Sequence, residues 1–226
     1  CSLFLPYNMG AIDMTDLKNQ ATKIGGLIDP ARPPLKPPPK LYRTIVVDFD
    51  GVPSGTAVDA AFSGQGVNLA SITTSPAKRW SAYAMLLQLG TGQTGKNVLT
   101  LNNGSGWGDV FFDARQGAIE VTFSQAQQSV SIWAYPMNSP EGLGNADNRP
   151  FIDAFDTNGA YLGKVRTQLG PNDPNFFAHW HPLTFASGSR NIRKLHLSSQ
   201  AQGAPWVYTV FDTLTFDAQL GLRPLP

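Results

Sequence analysis

From Thr44 onward the sequence is divided into short β-prone runs separated by Gly, Pro, Asn and Asp, and this division limits the possible folds more than any other feature. Almost no stretch with helical spacing remains between the runs. Many short strands at this spacing predict a β-sandwich or jelly roll. The predicted strands are 44–49, 67–72, 84–89, 98–101, 108–112, 118–123, 129–134, 151–155, 164–168, 181–185, 192–198 and 207–216.

Alternation within the runs indicates which residues face the core. Residues 119–123 and 192–197 alternate apolar and polar side chains, which gives each strand a buried face and a wet face. Between two runs, Asp156-Thr157-Asn158-Gly159 predicts a hairpin, because Asn-Gly accepts the positive φ angles of a type I′ turn. An all-β, antiparallel sandwich over residues 44–217 follows.

Composition is consistent with one core. With 226 residues and 42% apolar content, the chain can bury one sizeable core without a second domain. The net charge of +1 hides an asymmetry, since residues 1–43 carry six Lys or Arg against three Asp, and the remainder carries eleven against thirteen acids. No cluster of Lys and Arg interleaves with aromatic residues within a predicted strand, so nucleic acid is not expected as a partner.

Residues 1–43 predict an extended N-terminal arm. They hold seven of the 18 prolines, including the run Pro33-Pro34-Leu35-Lys36-Pro37-Pro38-Pro39, which favours polyproline II. A short helix is predicted at about residues 14–24, because Asp13 or Thr15 can cap it and Gly25-Gly26 can end it. Its apolar stripe would contact a partner, lipid headgroups or the chain's own domain. The stripe consists of Met14, Leu17, Ala21 and Ile24.

Cys1 is the single cysteine, so no disulfide forms within the chain. A start at Cys1 followed by the small Ser2 resembles a mature bacterial lipoprotein, and it predicts lipidation and export to the periplasm or cell surface. An arbitrary starting point of the chain is the alternative. No run approaches the roughly 18 apolar residues of a membrane span, so the expected membrane contact is the N-terminal lipid or a membrane protein complex.

Several segments together resemble the jelly-roll domains, related to galactose-binding and carbohydrate-binding modules, of exported bacterial proteins, including those with PEP-CTERM sorting tails. The resemblance covers about residues 44–217. Residues 218–226 form a C-terminal tail without the hydrophobic sorting helix of those proteins. The segments that carry the resemblance are 47–56, 64–67, 155–163, 192–195 and 210–216.

The resemblance also implies a possible structural calcium ion shared by the first and last strands. Calcium takes six to eight oxygen ligands, and Asp50 and Asp212 are the implied carboxylates, with Asp48 as a third and loop carbonyls near Gly55. The alternative is that Asp50 starts a turn and Asp212 caps a strand pairing. No organic cofactor is indicated.

Catalytic patterns are weak, and we do not expect an enzyme. Only Glu120 and Glu141 supply glutamates for a paired-carboxylate mechanism, and 104–108 lacks the Gly-x-Ser-x-Gly spacing of a serine nucleophile. His179 and His181 flank Trp180, and period-two geometry would place both imidazoles on one strand face as zinc or copper ligands. No third ligand is evident, and packing and hydrogen bonding are the more common role of such a pair.

Two functions remain. The main prediction is a non-catalytic, lipid-anchored accessory or scaffolding subunit of an envelope membrane-associated protein complex, docked through residues 1–43. The alternative is a calcium-stabilised carbohydrate-binding module at the cell surface. Its predicted ligand-binding residues are Trp107, Trp180 and Trp206, with His179 and His181. Partial burial at a sandwich edge is the structural alternative for each tryptophan.

Overall fold

A computed structural model describes residues 40–72, 81–86, 93–102, 118–136, 149–170, 173–199 and 209–219. The chain divides into two units between Pro39 and Lys40, and all described residues belong to the second unit. The predicted helix at 14–24, the Pro-rich spacer and the strand at 108–112 lie outside the described residues.

Twelve strands and one 3-10 turn, Ser63–Gln65, form the described part of the chain. The prediction for Val67–Ile72 is confirmed residue by residue, whereas the strand expected at 84–89 lies three residues earlier, at Ser81–Leu86. The strands are β1 Tyr42–Val47, β2 Thr56–Ala57, β3 Val67–Ile72, β4 Ser81–Leu86, β5 Asn97–Asn102, β6 Ala118–Gln127, β7 Ser129–Pro136, β8 Pro150–Phe155, β9 Tyr161–Arg166, β10 His181–Ala186, β11 Ile192–Ser199 and β12 Thr209–Gln219.

These strands form two antiparallel sheets. The seven-stranded sheet has the order β10-β7-β12-β5-β4-β2, and β1 also pairs with β12. The five-stranded sheet has the order β3-β6-β11-β8-β9. Connections from β7 to β8, from β9 to β10 and from β11 to β12 cross between the sheets, so the fold is the predicted antiparallel jelly-roll β-sandwich.

The core lies between the two sheets, where the apolar faces of the strands meet. Ile119, Val121 and Phe123 of β6 are buried, as their alternation predicts. The Phe123 ring lies 5.0 Å from the ring of Phe216 on the opposite sheet. In β11 a register shift after Ile192 interrupts the alternation.

The predicted hairpin joins β8 to β9, but its turn is not type I′. Gly159 has a φ of 81°, whereas Asn158 is not among the residues with positive φ. The carboxylate Oδ1 of Asp156 accepts the backbone N–H groups of Asn158 and Ala160, both at 2.8 Å. The Asp156 side chain thus supplies the hydrogen bonds that hold the turn together. Only Gly159 adopts a left-handed conformation, whereas a type I′ turn requires two consecutive left-handed residues.

Candidate functional site

The outer face of the five-stranded sheet carries ordered rows of polar and aromatic side chains, and we call it the sheet face. Antiparallel pairing places residues from all five strands opposite one another, while their sequence neighbours, such as Val121, Leu195 and Ala154, are buried. One row contains Ala70, Glu120, His196, Asp153 and Lys164. The adjacent row contains Asn68, Thr122, Lys194, Phe155 and Tyr161.

Glu120 accepts two hydrogen bonds on this face. Lys194 Nζ lies 2.8 Å and His196 Nε2 lies 3.2 Å from Glu120 Oε2. Partial burial opposes ionisation of Glu120, but the hydrogen bonds and charges of Lys194 and His196 outweigh it and lower the pKa of the carboxyl. Glu120 is therefore a carboxylate held in one position by its neighbours.

Asp153 forms a second ion pair on the sheet face. Lys164 Nζ lies 3.3 Å from Asp153 Oδ2, and the Tyr161 hydroxyl donates to Asp153 Oδ1 at 3.2 Å. Desolvation, and then the negative charge of Asp153, raise the pKa of Tyr161. Tyr161 therefore stays a neutral phenol at neutral pH, and its hydroxyl can donate.

Aromatic rings complete the sheet face. The Phe155 ring lies 4.5 Å from the imidazole of His196 and 5.7 Å from the ring of Tyr161. Tyr161 is 58% exposed, an unusually high value for a large aromatic side chain in a strand. An exposed ring beside fixed carboxylates, a hydroxyl and ammonium groups can stack on a sugar ring and hydrogen-bond its hydroxyl groups.

A second feature lies on the side of β12 where the neighbouring strand changes from β1 to β5. The residues 214–219 of β12 pair with β1, and Phe211 pairs with Leu99 of β5. Asp212 and Thr213 lie in the gap between those pairings, at a register shift. Asp212 is fully buried and accepts N–H groups from Thr213 at 2.6 Å and Thr94 at 3.2 Å.

Asp50 reaches the same segment from the end of β1. Its Oδ1 accepts the backbone N–H groups of Lys96 at 2.8 Å and Asn97 at 3.0 Å. Asp48 Oδ1 accepts the N–H of Asp50 at 3.3 Å. Between them Phe49 has a φ of 60° and a fully buried ring. We call this end of the sandwich, with Asp48, Asp50, Asp212 and residues 93–97, the carboxylate end.

The carboxylate end partly fits the implied calcium ion. Asp50 and Asp212 do meet at residues 94–97, and Asp212 is a buried acid close enough for the charge of Asp50 to raise its pKa. A divalent cation would offset that charge. Among the described residues, however, no three His, Cys, Asp or Glu side chains are grouped as a metal site. Asp48 therefore does not complete a three-carboxylate set, and further oxygens would have to be carbonyls.

Burial is the main cause that raises the pKa of Asp212 from its ordinary 3.8 to about 6, although N–H groups from Thr94, Thr213 and Gln93 oppose it. The folded state thus binds this proton more tightly than the unfolded state. We expect the Asp212 contribution to the free energy of unfolding to rise by about 1.4 kcal/mol between pH 7.5 and pH 5. Urea unfolding of the EDTA-treated protein at both pH values measures this change in the free energy of unfolding. The Asp212→Asn variant should lack the change. If its free energy of unfolding depends on pH as strongly as that of the unchanged protein, Asp212 is not the group responsible.

Among the described residues, no third metal ligand is grouped with His179 and His181. His179 precedes β10, is exposed, and donates from Nδ1 to the carbonyl of Phe177 at 2.9 Å. His181 opens β10, is buried, and its Nε2 lies 2.8 Å from the carbonyl of Phe176. The two imidazoles therefore lie in different surroundings, one exposed and one packed against the Phe176 ring, and both make the backbone hydrogen bonds expected of packing residues.

Of the three tryptophans predicted to bind a ligand, Trp180 lies among the described residues, and it is not on the sheet face. Trp180 is half-buried, and its ring lies 5.1 Å from that of Tyr135 in the other sheet. Trp107, Trp206 and Cys1 lie outside the described residues. Sequence reasoning also missed Tyr161, Phe155, Asp153 and His196, although the alternation of Ile152-Asp153-Ala154-Phe155 could have indicated an outward aspartate and phenylalanine.

No helix among the described residues has the length and apolarity needed to cross a bilayer. No protein-family model matches the chain, and no curated protein matches it.

Solved structures of other β-sandwiches do match. The K1 cleaved adhesin domain of Lys-gingipain from Porphyromonas gingivalis has 10% identity and a TM-score of 0.43, and the match covers 77% of this chain and 97% of that domain. The CBM22-1 xylan-binding domain of Xyn10C from Paenibacillus barcinonensis has 13% identity and a TM-score of 0.41, with 82% and 99% covered. Identities and TM-scores this low do not indicate a ligand for this chain.

Proposed function

We propose that this chain binds a carbohydrate on the sheet face. The observation that carries the proposal is the row in which Phe155 lies beside the exposed ring of Tyr161, next to a row with two fixed carboxylates, Glu120 and Asp153. A sugar ring has an apolar face and a rim of hydroxyl groups. Stacking on Tyr161 and hydrogen bonding to the carboxylates would use both properties at once.

The sheet face is also prepared for binding because its polar groups hold each other in place. Glu120 is positioned by Lys194 and His196, and Asp153 by Lys164 and Tyr161. Less side-chain freedom is then lost when a ligand binds, which favours affinity. Five strands about 4.8 Å apart span about 19 Å, long enough for several consecutive sugar units.

The proposal is tested by titrating the full chain with a panel of soluble oligosaccharides and following backbone amide resonances. We expect saturable shifts at residues of β8, β9 and β11, and none at the carboxylate end. If no oligosaccharide shifts the sheet face, or if the shifts map to the seven-stranded sheet, the proposed function is wrong.

We further propose that a calcium ion stabilises this module at the carboxylate end, held by Asp50 and Asp212 together with nearby backbone carbonyls. A ligand that binds only the folded state stabilises it by about 2.7 kcal/mol at one hundred times its Kd. Calcium added to EDTA-treated protein should therefore raise the unfolding midpoint, and Asp50→Asn should remove the increase. Asp156→Asn, in the β8–β9 turn, is the control that keeps it. A midpoint that is the same in calcium and in EDTA would contradict the ion.

The accessory or scaffolding role, the lipid on Cys1 and the periplasmic or cell-surface location remain proposals carried by residues 1–43. Almost all of these residues lie outside the described part of the chain, and sugar binding is therefore the function we place first. Mass spectrometry of Cys1 and co-purification with and without residues 1–43 would test the docking role.

A further inference from the structure

Positive charge is concentrated on the five-stranded sheet. Its strands carry four cations, Lys164 and Arg166 on β9 and Arg193 and Lys194 on β11, against two acids, Glu120 and Asp153. The other described residues include five cations and seven acids. This uneven distribution of charge is not evident in the sequence, because β9 and β11 are separated along the chain by β10, which belongs to the seven-stranded sheet.

In both ion pairs, the lysine side chain is more exposed than the acidic side chain. The side chain of Lys194 is 36% exposed and that of its partner Glu120 is 23% exposed. The side chain of Lys164 is 30% exposed and that of Asp153 is 19% exposed. Both lysine side chains are therefore accessible to a ligand on this face, with Lys164 Nζ also lying 3.7 Å from the centre of the Phe151 ring.

The two lysines also lie close to the aromatic rings. Lys194 is directly opposite Phe155, whose ring contacts that of Tyr161. Lys164 follows Tyr161 by three residues on β9 and binds the same aspartate as the Tyr161 hydroxyl. Lys164 thus lies beside the Tyr161 hydroxyl, whereas Lys194 is two strands away with its ammonium group at Glu120 on β6. An anionic chain that extends from Tyr161 across the strands would meet the two ammonium groups one after the other.

We propose that the glycan bound by the sheet face is acidic, with carboxylate or sulfate groups that contact Lys164 and Lys194. This inference rests on the proposed function and adds the chemical class of the ligand. Arg166 and Arg193 add positive charge that draws an anionic chain to this sheet rather than to the acidic remainder of the domain. Charge complementarity of this kind speeds the association of an anionic glycan. It also gives specificity, because a neutral glycan gains nothing from it.

The test compares two forms of one polymer with the full chain. Polygalacturonate is the acidic probe, and its fully methyl-esterified form is the neutral one. Two partly exposed ion contacts predict about tenfold tighter binding of the acidic form, and a preference that decreases as salt is added. Lys164→Gln and Lys194→Gln should each lower the affinity for the acidic form about threefold. Lys96→Gln, an exposed lysine at the carboxylate end, is the matched control and should leave the affinity unchanged.

The outcomes separate this inference from the proposed function. Equal affinity for both forms overturns the acidic ligand and leaves sugar binding in place. Binding of neither form, together with no shift from any oligosaccharide, overturns both. Equally tight binding to single-stranded DNA or to vesicles of anionic lipid would also overturn it, because the sheet face would then be an unselective polyanion surface.

Discussion

Replacing Tyr161 by alanine is expected to raise the Kd for a bound glycan about thirtyfold, a loss of about 2 kcal/mol, which is the size found for aromatic residues at binding hot spots. Tyr161 is the most exposed aromatic ring on the sheet face, and its hydroxyl is fixed by Asp153. Isothermal titration calorimetry with the tightest oligosaccharide from the panel measures the change.

Two further variants show what the Tyr161 side chain contributes. Tyr161→Phe keeps the ring and loses the hydrogen bond to Asp153, so it should retain most of the affinity if stacking dominates. Tyr42→Ala removes an exposed tyrosine from β1 of the other sheet, where its ring contacts Arg190 at 3.7 Å, and should leave binding unchanged. A Tyr161→Ala protein that binds as tightly as the Tyr42→Ala protein would contradict the sheet face as the binding site.

Replacing Phe49 by alanine should destabilise the fold by about 4 kcal/mol and lower the unfolding midpoint by about 10 °C. The ring is fully buried and packs edge-on against Phe62, with centroids 5.4 Å apart. Phe49 also has a left-handed φ of 60° between Asp48 and Asp50, a conformation that persists only where packing enforces it. Without the ring, the turn that holds the Asp50 carboxylate against the backbone of Lys96 and Asn97 is no longer fixed.

If the proposed calcium ion binds at the carboxylate end, Phe49→Ala should lose the calcium-dependent rise in midpoint as well as stability. Phe176→Ala is the matched control, because Phe176 is equally buried but packs beside His181 on β10, which is separated from β12 and Asp212 by β7. Differential scanning calorimetry in calcium and in EDTA compares the two. If both variants keep the same calcium increment, the Phe49 turn does not hold the ion.

The turn chemistry shows where local sequence reasoning stops. A hairpin at Asp156–Gly159 follows from the residues, but Asn-Gly alone predicts a type I′ turn. The side chain of Asp156 accepts two N–H groups of the turn and selects a different geometry. His179 lies in a bend and His181 is the first residue of β10, so the spacing of the pair alone does not predict their different surroundings.

The sheet face could not be found from the sequence because its residues are brought together by strand pairing. Glu120 and His196 are separated by 76 positions and meet only because β6 and β11 pair in one register. A shift of one residue in that register would turn His196 toward the core and Leu195 outward. By contrast, Asp50 and Asp212 were paired through a family resemblance, and the structure does bring both to residues 94–97.

The sequence by itself determined the all-β fold class, the strand Val67–Ile72 and the buried face of β6, because strand propensity and alternation depend only on neighbouring residues. The tertiary structure decided which sheet each strand joins and which outward residues meet. Those choices depend on how the whole core packs and on where each turn sets the register, so cations from β9 and β11 share one surface with Phe155 and Tyr161.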